Sequence, residues 1–198
     1  MENESDYLEV ENLVRNSFWN VYRPGAFEHY IVHELRNDKS FISNLAYVIE
    51  DNGEIIGHIN YSTGFIDSGN EKTDAVVLGP IAIRKDRQNQ GFGSRLIEHT
   101  LSLAEKDGIP YIFVVGDENY YQRFGFISAS EYGLYLEGTD TAEECQFFMI
   151  RIFDESKLKK GTFHNPDVFN VTQEYVDEFD SQFEYKEKKV LDTQLREL

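Results

Sequence analysis

Residues 76–95 constrain this chain more than any other stretch, because an apolar run (Val76, Val77, Leu78, then Ile81, Ala82, Ile83) passes through a polar turn and into a glycine-punctuated amphipathic segment. The apolar run reads as a buried strand, residues 84–90 as the turn, and Gly91 with Gly93 as the start of a helix. A strand that turns straight into a helix leaves the first-turn N–H groups without intrahelical acceptors and sets the positive end of the helix dipole at the turn. Anions bind at such a place. With no Cβ on either glycine to hold a bulky diphosphate off the backbone, Gln88, Asn89, Gln90, Gly91, Phe92, Gly93 and Ser94 form a candidate phosphate cradle.

Two common phosphate motifs fail on spacing. G-x-x-x-x-G-K-S/T needs a Lys after its second glycine, and none follows Gly91 or Gly93; G-x-G-x-x-G needs a glycine where Leu96 stands. The pattern that remains, Gln88-x-x-Gly91-x-Gly93 directly after a strand, resembles the R/Q-x-x-G-x-G/A pyrophosphate signature of the GNAT superfamily of acetyl-CoA-dependent N-acetyltransferases. A second match lies downstream. After the apolar run Tyr111–Val115 comes Gly116-Asp117-Glu118-Asn119-Tyr120-Tyr121-Gln122-Arg123-Phe124-Gly125-Phe126, similar to the G-D-x-x-Y-Y-x-R-F-G-F segment of a "predicted N-acetyltransferase" branch of that superfamily. The resemblance covers residues 6 to about 153.

It implies an α/β (α+β) GNAT fold: a central mixed, twisted sheet of about six to seven strands, splayed between strands 4 and 5 and flanked by helices. Residues 1–153 would form this domain and 154–198 a C-terminal helical extension. The implied co-substrate is acetyl-CoA, its pantetheine arm lying in the splay against the main chain of Ile81, Ala82 and Ile83. A backbone N–H aimed at the thioester oxygen would stabilise developing charge there. The family's tyrosine lies four positions before the Gly of a G-F pair, and Tyr121 stands so before Gly125, which implies that Tyr121 protonates the departing thiolate. A phenol suits that task, since its pKa of about 10 keeps it protonated at neutral pH yet close to the ~8.5 of a thiol. Adjacent helical residues point about 100° apart, so Tyr120 is expected in the core.

The general base is open among Glu28, His29, His58 and Asp117. Pro24-Gly25-Ala26-Phe27-Glu28-His29 is similar to a P-G-x-x-E-H segment near the branch's acceptor pocket, which makes Glu28, acting through water, the first choice and His29 the second. His29 and His33 stand four apart on one helix, but no third ligand at a recognised spacing and no H-E-x-x-H accompany them, so no metal site is expected. His99 is expected at the surface, and Cys145 as a buried structural thiol at the start of a strand.

At 198 residues, 40% of them hydrophobic, with 12 Tyr and 15 Phe, the chain has material for one well-filled domain. No apolar stretch approaches the ~20 residues that cross a bilayer. The acidic start MENESDYLEV lacks a secretory signal's basic flank and apolar centre, so a cytoplasmic protein with no membrane partner is expected. A single cysteine excludes an intrachain disulfide. The net charge of −17 argues against a nucleic-acid partner, which needs a basic patch. Coenzyme A is itself an anion; Arg84, Lys85, Arg87 and Arg95 are therefore expected to make a positive island around the cradle.

Periodicity and turn residues place the other elements. Ser5 or Asp6 caps a helix bearing Leu8, Leu13, Val14 and Phe18, before which the family's first strand is expected to be missing or very short; a second helix covers 26–36. Strands at 45–50 and 55–63 are joined by a tight Asn52-Gly53 hairpin, a polar loop fills 67–74, and a helix over 91–107 returns through a right-handed crossover to a parallel strand Tyr111–Val115. Strands at 133–137 and 146–153 close the sheet. Beyond them Val168, Val171, Tyr175 and Phe179 suggest an amphipathic helix, with a charged tail that could dock on the same domain, cross to a partner in a homodimer, or stay loose.

The reading these features support is direct acetyl transfer, in a ternary complex, to a primary amine on a small-molecule or protein acceptor. The alternative is an acyl-CoA-binding sensor or partner-binding domain without turnover. An acyl group other than acetyl is a third possibility, decided by pocket volume at the thioester. The acidic balance leaves a cationic acceptor open without selecting one.

Overall fold

Residues 1–139 and 147–194 are described by a computed structural model; Cys145 and the first residue of the strand expected at 146–153 lie outside the described residues. Helix α1 (Tyr7–Phe18) follows a single 3-10 turn, Glu4–Asp6, tied by the Asn3 N–H donating to the Asp6 carboxylate at 2.8 Å. Among the described residues no strand precedes α1. The lead-in contributes one backbone bond, from the Glu2 N–H to the Ala46 carbonyl at 3.0 Å. Helix α2 (Glu28–Leu35) starts later than the periodicity suggests, because residues 20–25 close on themselves through Asn20 and Gly25.

Strands β1 (Tyr47–Asp51) and β2 (Glu54–Asp67) form the expected hairpin, with Asn52 and Gly53 at φ 55° and 81°. Both residues tolerate the left-handed region that such a turn requires. Strand β3 (Lys72–Ile83) begins earlier than expected: Phe65, Ile66 and Asp67 pair with Asp74, Thr73 and Lys72, so half of the segment read as a polar loop is strand. Its polar residues misled the reading because one face of this hairpin end meets water.

Helix α3 (Phe92–Lys106), strand β4 (Tyr111–Val115) and the short helix α4 (Glu118–Tyr121) follow. Then come β5 (Ile127–Ser128), β6 (Leu134–Leu136), β7 (Phe148–Ile152), β8 (Gly161–His164) and α5 (Gln173–Asp180). One mixed, eight-stranded sheet results, in the order β5-β7-β4-β3-β2-β8-β6, with β1 also pairing along β2. Strands β3 and β4 run parallel on either side of the α3 crossover. Two strands were not foreseen. Both β5 and β8 are too short to show a period, and β8, from the segment read as a helical extension, seats the buried Phe163 opposite Ile66.

Alternation of side chains across the sheet divides the core. Helix α3 buries Leu96, Ile97, Leu101 and Ala104 against Ile59, Tyr61, Leu78, Ile112 and Val114. Helices α1 and α2 bury Val10, Leu13, Val14 and Val32 against Ile55 and Ala82. Each Val, Leu or Ile among them contributes about 1.5–3 kcal/mol on leaving water. A third, aromatic cluster (Tyr111, Phe113, Phe148, Phe163) fills the far half of the sheet. The tail docks on its own chain: Phe179 of α5 packs on His33 of α2 with ring centroids 4.5 Å apart. Among the described residues no helix is long and apolar enough to cross a membrane.

Candidate active site

Between β2 and β3 the register slips: Ile59 faces Ile81 and Tyr61 faces Leu78, so Asn60 alone stands opposite both Gly79 and Pro80. The hydrogen-bond network assigns the amide nitrogen of the fully buried Asn60 to the side facing this bulge, where it donates to the Gly79 carbonyl at 2.7 Å and the Pro80 carbonyl at 3.2 Å. A bulge bends its strand. On its other edge β3 pairs with β4 only through Val76, Val77 and Leu78, and beyond the bulge Ile81, Ala82 and Ile83 have no β4 partner among the described residues. The splay expected between strands 4 and 5 of the family thus falls between β3 and β4, one number lower because no strand precedes α1 among the described residues.

The Arg84 N–H donates to the Ile56 carbonyl at 2.9 Å. Antiparallel ladders alternate, so Ala82 directs its main-chain groups toward His58 on β2, while Ile81 and Ile83 direct theirs toward the gap. The Ile83 carbonyl already accepts from Ser17 Oγ at 3.1 Å and Gln88 Nε2 at 3.0 Å. Ile81, through both its groups, and the Ile83 N–H are left to bind something in the gap. Ala82 instead packs its methyl under α1.

At the end of β3 the chain turns into α3 through the proposed cradle. Gln88 and Gln90 brace the turn, the latter donating from Nε2 to the Asp86 carbonyl at 2.9 Å. Asn89 and Gly91 have φ 59° and 86°, and a Cβ on Gly91 would meet open space. Gly91 is required for its backbone angle, Gly93 for a close approach: a Cβ there would stand 2.8 Å from the Tyr120 hydroxyl. The Arg95 N–H is bonded back to the Gly91 carbonyl at 3.1 Å, whereas the N–H groups of Phe92, Gly93 and Ser94 precede the first intrahelical acceptor. This end of α3 can hold a diphosphate.

The positive island is smaller than expected. Arg84 is bound by Glu54 and Asp86, both at 2.8 Å, and Arg87 by Asp51 at 3.0 Å. Acidic neighbours in the hairpin and the turn neutralise these two, so Lys85 and Arg95 carry the local positive charge.

Tyr121 stands on α4 just past the end of β4, its ring so close to Gly116 that a Cβ there would fall 2.3 Å from it. It is 8% exposed and belongs to the core beneath α3, whereas Tyr120 lies half-buried at the rim beside Gly93. This reverses the burial expected of the pair, because Gly116 admits the Tyr121 ring. Burial, then the neighbouring Tyr120 and Tyr22, raises the Tyr121 pKa, so its hydroxyl stays protonated throughout the neutral range. The Tyr61 hydroxyl is engaged with Thr100 Oγ1 at 2.7 Å; that of Tyr121 makes no hydrogen bond among the described residues.

Glu28 and His29 point apart, as neighbours on a helix must. The Glu28 carboxylate accepts from the Phe27 N–H at 2.9 Å, and burial pushes its pKa up against the opposing effects of that bond and of Arg23. His29 is fully buried beneath α5, Nε2 3.1 Å from Asp180 Oδ1, and burial lowers its pKa to about 4. His33 turns to Glu11 at 2.9 Å, so the helical histidine pair is divided between two carboxylates. His58 is fully buried with Nε2 3.5 Å from Glu2, on the α1 side of the sheet with its cross-strand partner Ala82. Asp117 caps α4, accepting from the Asn119 N–H at 2.9 Å.

Sequence reasoning missed Tyr22. Its pKa is raised by partial desolvation first and then by the charges of Glu28 and Asp117, while Tyr121 in turn feels Tyr22, so these groups lie within electrostatic reach of one another although Tyr22 remains 44% exposed. An isolated tyrosine in a polar connection carries no signal of that. Asn60 did carry one, as a polar residue inside an apolar strand.

A parallel strand pair split by a bulge, opening onto a glycine cradle at a helix start, defines an acyl-carrier-binding type of α/β fold. The family model described as acetyltransferase (GNAT) family matches residues 10–126, which include both the cradle and the segment 116–126. The chain belongs to the GNAT acetyltransferase family. It is 28% identical over 96 residues to the uncharacterised N-acetyltransferase YjhQ of Escherichia coli; the match takes in 48% of this chain and 53% of that protein, so the chain spans about half the length of the curated relative it matches. Among solved structures it is similar to a GNAT family acetyltransferase from Brucella melitensis in complex with acetyl-CoA, at 26% identity and TM-score 0.68 over 85% of this chain and 94% of that one. It is also similar to YhbS from Escherichia coli in complex with CoA, at 25% identity and TM-score 0.72 over 86% and 89%.

Proposed function

We propose that this chain transfers the acetyl group of acetyl-CoA to a primary amine, directly and within a ternary complex. The observation that carries this reading is the continuity of the β3 main chain at Ile81 and Ile83, which has no β4 partner among the described residues, with the glycine turn at the start of α3. Together they suit a long ligand with a diphosphate at one end and an extended, amide-bearing arm at the other. The two similar structures that hold acetyl-CoA and CoA support the choice of carrier.

The carrier supplies a thioester carbonyl. The amine nitrogen forms its bond to that carbon as the carbon–sulfur bond breaks, and each proton has a partner in the chain. Glu28, with its raised pKa, takes the amine's proton through water; Tyr121 gives its own to the thiolate and recovers one from solvent. An N–H of β3 beyond the bulge offers a donor for the carbonyl oxygen, where a fixed dipole is worth most. His29, turned to Asp180, takes no part.

The test is the 198-residue chain with acetyl-CoA and a set of amines (spermidine, tryptamine, a lysine-containing peptide), with free thiol followed and acetyl-CoA binding measured by calorimetry. Thiol release that depends on an amine supports transfer. Absence of acetyl-CoA binding would sink the reading, and binding without release from any amine would favour a sensor.

A further inference from the structure

The charged tail makes a set of directed bonds to one residue. Asn20, in the left-handed region at φ 61°, closes the α1–α2 connection: its N–H donates to the Gly25 carbonyl at 2.8 Å, and its Oδ1 accepts from the Gly25 N–H at 2.9 Å. The same residue meets the tail. Asn20 Nδ2 donates to the Glu187 carbonyl at 3.1 Å, Oδ1 accepts also from the Lys189 N–H at 3.0 Å, and the Asn20 carbonyl accepts from Gln194 Nε2 at 3.2 Å. Beside it Trp19 Nε1 donates to the Glu187 carbonyl at 3.1 Å.

The tail is anchored upstream as well. Arg15, 2% exposed, donates to both Asp180 oxygens at 2.5 and 3.1 Å, and Phe179 and Phe183 pack on His29 with centroids 5.4 and 5.5 Å away. The loop gripped between these points carries Tyr22 and Arg23 and leads directly into Glu28. The tail lies beyond residues 10–126, the part that matches the family model.

We propose that residues 187–194 form a strap, held by Asn20, that positions the loop bearing Tyr22 and the start of α2 bearing Glu28. Asn20 is thus a positioning residue for the acceptor side of the site. The consequence for transfer rests on the reading under Proposed function; the grip on the loop does not. Displacing a proton-accepting group by about an ångström can cost on the order of a hundredfold in rate, so a side chain remote from the reacting atoms can govern turnover.

Asn20→Gly in the 198-residue chain removes the side-chain bonds while keeping a backbone that accepts positive φ. Gln194→Ala releases the strap from its own end, and Asn20→Asp keeps the oxygen that accepts from Gly25 and Lys189. Hydrogen exchange across residues 20–28 is expected to quicken about tenfold or more in the first two variants and to be largely restored in the third. Fluorescence of Trp19, the single tryptophan, should shift to the red with it. With spermidine or tryptamine as acceptor, kcat should fall about tenfold or more while acetyl-CoA binding stays within about twofold. Unchanged exchange in both releasing variants overturns the proposal. So does faster exchange with unaltered kcat, or an equal loss of acetyl-CoA affinity. Where the parent protein transfers to neither amine, the transfer reading fails for those amines and exchange over 20–28 alone decides the strap.

Discussion

The Tyr120 hydroxyl lies 2.8 Å from the point where a Cβ on Gly93 would begin. Gly93→Ala must therefore push the Tyr120 ring aside at the mouth of the cradle. Overpacking of this kind costs about 1–3 kcal/mol, so acetyl-CoA affinity should fall about tenfold. Adding Tyr120→Phe removes the crowding atom and should recover most of the loss. The same addition should do nothing for Gly91→Ala, whose fault is its φ of 86° rather than crowding. Calorimetry on these variants checks it, and equal rescue of both would refute the assignment.

Tyr121→Phe keeps the ring that packs on Gly116 and deletes only a hydroxyl with no hydrogen bond among the described residues. Thermal stability should hold, acetyl-CoA should bind as before, and turnover should fall by about 10²–10³. Steady-state kinetics with any accepted amine decides this; unaltered kcat removes Tyr121 from the mechanism.

Glu28 must be ionised to accept a proton, and burial raises its pKa above the usual carboxylate range. The rate should fall as pH drops through that raised value, giving an acid limb to the profile of kcat/KM. Glu28→Gln should abolish the limb together with most of the activity. A variant that keeps both the rate and the limb would point to another base.

His29 titrates at about 4 in the folded chain against an ordinary value of 6.5. The unfolded chain takes up its proton first on acidification, so the stability contributed by the neutral ring is complete above pH 6.5 and fades toward pH 4. At 1.36 kcal/mol per unit the loss approaches about 3 kcal/mol. Urea unfolding across that window should show the fall, and His29→Gln should flatten it; parallel curves for the two proteins would contradict the assignment.

Local signals in the sequence were enough to place the glycine turn into α3, the Asn52-Gly53 hairpin and the α3 crossover, because each depends on spacing or turn chemistry within a few residues. Long-range geometry was not legible. Nothing near His29 announces that Asp180 and Phe183 will cover it, and nothing near Tyr22 announces Asp117. Tyr120 and Tyr121 differ in burial because Gly93 and Gly116 admit one ring each, a relation between separate segments. The charge estimate at the cradle failed similarly: the turn's arginines were counted, but not the Glu54 and Asp51 brought across from the hairpin.

The amide of Asn60 wedges β3 at Gly79 and Pro80, so the walls beside Ile81 are pinned apart by the polypeptide itself. A slot preshaped in this way needs no prying open when its guest arrives. Stopped-flow mixing with CoA should accordingly give one exponential whose rate climbs in proportion to CoA concentration, whereas a plateau would reveal a slow unlatching ahead of entry.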